Sequence, residues 1–235
     1  MNTINSPMVL LDIFVAPSTV FTRLQSIKKW GWLGLLLLIT MTIFSTISFY
    51  GNMSPDWIME QQLLHAGEIA PAERDATIDM MSQAVEYLGL IGSVLSTIFL
   101  VFVCALSAGY LMLVSKLSAN KNNYQFGDWF SFSIWSQMPL FINLFGFIII
   151  FLTSSTPDLP LELPNYASLN QLYLGLVPGD VFFNFAENIN LFYLWSIGLV
   201  TLGLMYCCQF SITKAIFFSL LPYLVVFGLW FLLLI

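Results

Sequence analysis

Charge is what this chain has least of. Only 9% of its 235 residues are Asp, Glu, Lys or Arg, whereas a soluble domain of this size carries roughly 25%. A mean hydropathy of +0.85 points the same way, to lipid as the natural solvent. A single histidine, His65, leaves no paired ligands for a HExxH metalloprotease and no Ser/His/Asp set inside a membrane; it reads as a surface residue at a helix end. The three cysteines, Cys104, Cys207 and Cys208, form no CxxC and have no histidine nearby, so neither a zinc site nor a disulfide framework is supported. They read as small packing residues, with lipidation of Cys207 or Cys208 as the alternative in a eukaryotic cell. No GxGxxG or P-loop is present, so nucleotide binding has no support. No catalytic residue, cofactor, metal or nucleic-acid partner is expected.

What the chain does have is long apolar runs. Five are read as transmembrane helices, at about 30–50, 88–114, 128–152, 189–209 and 215–235, each near the roughly 20 residues that cross a ~30 Å hydrocarbon core. Backbone polar groups in lipid must be satisfied within the chain, and these lengths suit helices and exclude alternating barrel strands. The sparse basic residues are distributed unevenly. Arg23, Lys28 and Lys29 precede the first run, Lys116 and Lys121 lie between the second and third, and Lys214 lies between the fourth and fifth; only Arg74 departs. Short loops rich in Lys and Arg stay cytoplasmic, so the expectation is an all-α membrane protein, a five-helix transmembrane bundle with a cytoplasmic N-terminus and its C-terminus outside. Eleven of the 13 acidic residues fall in or beside the two outer loops, leaving Asp12 and Asp128 inside. The first run is long enough to remain as an anchor, so no cleavable signal peptide is expected.

Two parts follow from this reading: a cytoplasmic segment over 1–29 and a transmembrane domain over 30–235. In the first, Ser18 follows Pro17 as a helix cap, and Val20, Phe21, Leu24 and Ile27 recur at helical spacing with Arg23 and Lys28 turned away. That pattern suits an amphipathic helix in the inner headgroup layer; a plain positive flank is the alternative. The first outer loop, 51–87, has helix starts at Ser54-Pro55-Asp56 and at Pro71-Ala72-Glu73 after a Gly67-Glu68 break. Ile78, Met81, Val85 and Leu88 share a face, so a helix is expected from near Pro71 straight into the second span. The loop's acidic residues make a solvated face or a cation-binding surface. The second outer loop, 153–188, is Pro-rich and then apolar, and is expected to cap the bundle or dip into the membrane interface. Trp30, Trp32 and Trp129 are placed at the inner boundary, Trp57 and Trp230 at the outer one.

No Asp, Glu, Lys, Arg or His lies deep in any span, whereas ion-coupled carriers usually keep one. Neutral polarity remains. Ser136, Pro139 and Asn143 share a face of the third span with Ser133 a turn earlier and Gln137 alongside. Such a stripe either lines a pathway or lipid groove or packs against other helices. In the second span, Gly92-x-x-x-Ser96 and Ala105-x-x-x-Gly109 are small-residue patterns that let helices approach closely, within the chain or between copies.

These residues lie among others that carry a family resemblance. Asp12-Ile13-Phe14-Val15-Ala16-Pro17 and Phe21, Trp30 at the first span, Tyr124-Gln125-Phe126 before the third and Met138-Pro139 within it form one series. Leu191-Phe192-Tyr193-Leu194-Trp195-Ser196-Ile197-Gly198-Leu199, Gly203 and Ser211-Ile212-Thr213-Lys214-Ala215 continue it. In their order and with five spans, they resemble the Yip1 family over about 8–233. Compared with the eukaryotic Asp-Leu-Tyr-Gly-Pro motif, Asp12 and Pro17 are one residue further apart and the glycine is missing. The short form resembles the bacterial members, which implies a multi-pass protein of the bacterial inner (plasma) membrane. The resemblance implies a non-enzymatic protein acting by self-association, partner binding and membrane organisation or trafficking. Its expected partners are the lipid bilayer and either a second copy or another membrane protein. The alternative is a permease or channel component for a neutral or lipid-like solute, lined by the third-span stripe.

Overall fold

A computed structural model of the chain describes residues 7–66, 70–118 and 123–235. The Gly67-Glu68 break and Lys121 lie outside the described residues. Among those described the regular structure is helical, with one isolated antiparallel bridge, Ser168 to Asn190, and no named strand. The chain forms two compact units, one from 1–39, 99–142 and 192–229, the other from 40–98, 143–191 and 230–235. Each has its own apolar core.

The first unit opens with two short helices, α1 (Val9–Val15) and α2 (Pro17–Thr22). Pro17 occupies the first turn of α2, where a missing N–H is harmless, so Ser18 lies inside the helix and makes no cap hydrogen bond. The chain bends at Arg23 and continues as α3 (Leu24–Asn52), which starts six residues before the expected span at Trp30. The helices α4 (Pro55–Ala66), α5 (Pro71–Val85) and α6 (Leu88–Ser115) follow. A single helix running from Pro71 into the second span is not what forms: a turn at Glu86 and Tyr87 separates α5 from α6. The shared face survives this, with Val85 buried and Ile78, Met81 and Leu88 half-buried.

The third apolar run is broken in two, α7 (Phe126–Ser136) and α8 (Pro139–Thr153). Pro139 has no N–H to give the Trp135 carbonyl. Met138 donates to that carbonyl instead, at 3.3 Å, a tighter local turn that keeps the group satisfied. After α9 (Phe183–Glu187) comes α10 (Phe192–Cys208), shorter than the 189–209 span expected. Its 17 residues reach about 25 Å at 1.5 Å per residue. The reason for the late start is a competing pairing: Leu169 N–H donates to Ile189 C=O at 2.7 Å and Leu191 N–H to Ala167 C=O at 2.9 Å, so 189–191 are held extended. Helix α11 (Ile212–Leu234) completes the chain. Among the described residues, four segments, Leu24–Asn52, Leu88–Ser115, Phe126–Thr153 and Ile212–Leu234, are long and apolar enough to cross a membrane, and α10 is a shorter apolar helix; the five spans expected from the sequence become four and a short one.

Pro222 sits inside α11 and removes the hydrogen bond that the Phe218 carbonyl would accept. The Tyr110 hydroxyl on α6 donates to that carbonyl at 2.8 Å, repairing in an apolar medium what proline removes. Tyr110→Phe is expected to lower stability by about 1 kcal/mol, the worth of one hydrogen bond, and to cost almost nothing in a Pro222→Ala background, where the N–H returns. Thermal unfolding in mild detergent checks both; an equal loss in the two backgrounds contradicts the pairing.

In the second unit, Ser54 starts the α4 turn with its Oγ accepting from Trp57 N–H at 3.3 Å, and the Asp158 carboxylate accepts from Ser54 N–H at 2.7 Å. Trp57 Nε1–H donates to the Leu159 carbonyl at 2.9 Å. His65, in the last turn of α4, has Nε2 2.6 Å from Glu162 Oε1 and Nδ1 2.7 Å from the Gln61 carbonyl oxygen. Far from being a bare surface residue, it joins α4 to the second loop. Phe49 stacks edge-on against Phe147 and Phe151 at the centre of this unit's core.

Candidate functional site

Helix α7 is the most enclosed helix of the first unit, with Asp128, Trp129, Ser131, Phe132, Ser133, Ile134, Trp135 and Ser136 all buried. Its start is set by Gln125 and Asp128, which form a reciprocal capping box: Gln125 N–H donates to Asp128 Oδ2 at 2.9 Å. Asp128 Oδ1 lies 3.6 Å from Lys28 Nζ, with the lysine half-exposed and the carboxylate almost covered. A pair with one partner in solvent contributes little, so the carboxylate's main work is the cap. Tyr124 packs edge-on to Trp129 at 5.5 Å, and burial pushes its phenol up to about 12, so it stays neutral.

Around α7 lie α2, α3 and α10. Phe21 from α2 is fully buried, its ring 4.8 Å from that of Phe132. Gly203 on α10 faces both: a Cβ there would collide with Cε2 and Cζ of Phe132 and lie 3.0 Å from Cδ1 of Phe21. Gly31 on α3 makes a second close crossing, where a Cβ would collide with Ser131 Oγ. Cys207 donates weakly from Sγ to the Phe21 carbonyl at 3.5 Å, and Thr201 and Ser219 share a hydroxyl hydrogen bond of 2.8 Å between α10 and α11. Ser118 Oγ–H donates to the Cys208 carbonyl at 2.7 Å, and Lys214 Nζ donates to the Leu117 carbonyl at 2.8 Å while lying over the Phe210 ring.

This arrangement revises several expectations. Val20, Phe21, Leu24 and Ile27, read as a lipid-facing surface, are buried core residues. Their periodicity is real, but α10 and α7 cover the face that lipid was expected to cover. Exposed apolar residues on the N-terminal segment are instead Met8, Leu11 and Val15. Trp129 is likewise in the core and not at a membrane boundary, whereas Trp32 is exposed. In the third-span stripe, Ser133 and Ser136 turn their hydroxyls back onto the Trp129 and Phe132 carbonyls, each at 3.0 Å, as helix serines commonly do. Gln137 is half-buried at the break, Pro139 is buried, and Asn143 belongs to the second unit, where its side chain is buried and its Oδ1 has no hydrogen-bond partner among the described residues.

Of the small-residue positions, Gly92 faces Thr46, a Cβ there coming 3.2 Å from its methyl, while Ser96 is exposed. Ala105 and Gly109 are half-buried, with open space at the Gly109 Cβ position. The buried residues of α6 in the first unit's core are Leu100, Cys104, Ala108, Leu111 and Val114. Ser131 and Trp135 escaped the sequence reading, and Trp129 was placed at a membrane boundary instead of in this core. Ser131 Oγ and both indole Nε1 atoms are buried without a hydrogen-bond partner among the described residues. The Gln125-x-x-Asp128 box that starts this helix departs from the usual Ser/Thr-x-x-Glu/Gln pattern, so the sequence did not mark it.

Among the described residues, four helical segments of this length and apolarity, with a fifth shorter apolar helix, define a multi-pass integral membrane protein. A model of the Yip1 domain matches residues 11–235, and the chain belongs to that family. Neither a curated protein nor a solved structure matches the chain. The residues that carried the resemblance are now given a physical role: Phe21 and Gly203 lie against the Phe132 ring, Gln125 caps α7, and Met138-Pro139 ends it.

Proposed function

We propose that this Yip1-domain protein is a non-enzymatic membrane organiser that works by contact with lipid, with a second copy and with other membrane helices, around a closed core built on α7. The observation that carries this is the apolar surface left open on α6 and α11, of which only 17% and 6% of the most apolar window is buried within the chain. Helices so little covered by their own fold are available to lipid and to neighbouring helices. The proposed orientation puts the N-terminus in the cytoplasm and the C-terminus outside. It is supported by Arg23, Lys28, Lys29, Lys116 and Lys214 belonging to the first unit and the acidic residues of both long loops to the second. The proposed location is a bacterial inner membrane, with 1–29 as the cytoplasmic segment. Ser96 and Gly109, small residues not closed off by side chains, are proposed contact points between copies.

The test is cross-linking in native membranes. Oxidation of Ser96→Cys or Gly109→Cys protein is expected to give disulfide-linked dimers, while the unmodified chain, whose three cysteines are buried, gives none. A permease for a neutral or lipid-like solute is the second reading, favoured by the unpartnered Ser131, Trp129 and Trp135 polar atoms inside the first unit. Monomer in every variant together with saturable solute flux in proteoliposomes would replace the first reading with the second.

A further inference from the structure

The second long loop carries a feature that the packing of the unit does not use. From Leu163 to Gly179 there is no charged residue. One side of this stretch is bolted to the fold. Glu187 is 4% exposed, and its carboxylate accepts from Asn170 Nδ2 at 2.8 Å, Gln171 Nε2 at 2.6 Å and Ser168 Oγ at 3.2 Å. Asn170 then closes the turn in both directions, accepting from Leu176 N–H at 2.8 Å and donating to Leu176 C=O at 3.1 Å. Gly175, at φ 61, supplies the left-handed residue that ends the helical turn Asn170–Leu174.

The other side is apolar and open. Tyr173 is 80% exposed, and Leu172, Leu174, Val177 and Val181 are exposed with it. A flexible loop could fold such residues away; this one is held by the Glu187 network and presents them. The knob adjoins the end of a membrane-crossing helix. Phe182, next to Val181, lies 5.7 Å ring to ring from Phe231 of α11, and Phe185 lies 5.7 Å from Trp230. Leu232, Leu233 and Ile235 at that helix end are themselves exposed. The apolar surface of the helix end at 230–235 therefore continues onto the loop.

We infer that Leu172, Tyr173, Leu174, Val177 and Val181 form a rigid foot inserted into the interfacial layer of the leaflet at which α11 ends. Lipid is the occupant that fits. The stretch offers no charge with which to select a protein partner, Asp180 spends its carboxylate on the Val177 N–H at 2.9 Å, and a tyrosine among aliphatic side chains suits the headgroup boundary. The inference rests on α11 crossing the bilayer, and it holds in either orientation.

Nitroxide labels test it on the full chain in phosphatidylcholine and phosphatidylglycerol vesicles. Labels at Tyr173→Cys, Leu174→Cys and Val177→Cys are expected to be relaxed more by oxygen, which partitions into lipid, than by a water-soluble nickel chelate. A label at Glu73→Cys, on the exposed face of α5, is expected to show the reverse. A label at Val226→Cys in α11, exposed on that helix, separates the two levels of the argument. If position 226 is lipid-accessible but 173, 174 and 177 behave like position 73, the foot is overturned while the span stands. If position 226 is itself nickel-accessible, the spanning helix fails and the foot with it. Dipolar broadening between labels at 173 that disappears on dilution with unlabelled protein would identify a second copy as the occupant and also overturn the inference.

Discussion

Phe21→Ala is expected to cost about 3–5 kcal/mol, the range for deleting a buried aromatic side chain. Phe21 is fully buried, and its ring rests on Phe132 and beside the bare Cα of Gly203. Alanine would leave a void that neither α7 nor α10 can close, because Phe132 is packed against Trp129 at 5.5 Å on its other flank. Part of the usual hydrophobic term is absent wherever lipid is the alternative environment, yet the lost contacts are not recovered there. Phe21→Asp should be worse, since a carboxylate would be enclosed without a partner. Equilibrium unfolding in detergent, followed by tryptophan fluorescence, measures both. The outcome separates the fold from the sequence reading: on a lipid-facing surface, Phe21→Ala would change stability by well under 1 kcal/mol and leave the emission of the buried tryptophans unmoved.

The second large effect is at Gly203. A side chain there meets the Phe132 ring, and overpacking of this kind costs about 1–3 kcal/mol, sometimes more. Gly203→Val should lie at the upper end, since a β-branched residue cannot swing away from the helix it sits on. If the collision with Phe132 is the cause, Phe132→Leu should recover part of the loss in the double variant. The two substitutions would then be clearly non-additive, as expected of residues in contact. Strict additivity would place the cost elsewhere, in the backbone of α10. Gly203 is one of the residues that carry the Yip1 resemblance, and the Phe132 contact gives it a physical reason.

These two predictions concern residues that the sequence handled in opposite ways. Phe21 was legible as part of a helical apolar stripe with Leu24 and Ile27, because periodicity shows in any single sequence. What covers that stripe was not legible. A stripe looks the same whether it meets acyl chains or another helix, and only the return of α10, whose Cys207 lies 186 residues beyond Phe21, decides it. The third span shows the same division. Pro139 signalled a disturbance, but that Met138 would take over the Trp135 carbonyl depends on local geometry that composition does not encode. The expected 189–209 span is shortened at its start by the pairing of 189–191 with 167–169, a contact that hydrophobicity does not encode.

From the residues alone came the solvent, the number of apolar runs, the uneven placement of Lys and Arg, and the Yip1 resemblance that the family match over 11–235 establishes. All of these depend on composition or on patterns within about 30 residues, so no folding is needed to read them. The tertiary structure decided which apolar faces are closed. It turned Val20, Phe21, Leu24, Ile27 and Trp129 inward, left α6 and α11 largely bare, and stood Tyr173 on a loop held by Glu187. Burial is a property of pairs of surfaces, and in an apolar chain nearly every residue is fit for either side, so hydrophobicity cannot choose between them; shape does, through glycines such as Gly31 and Gly203 that admit a neighbouring side chain.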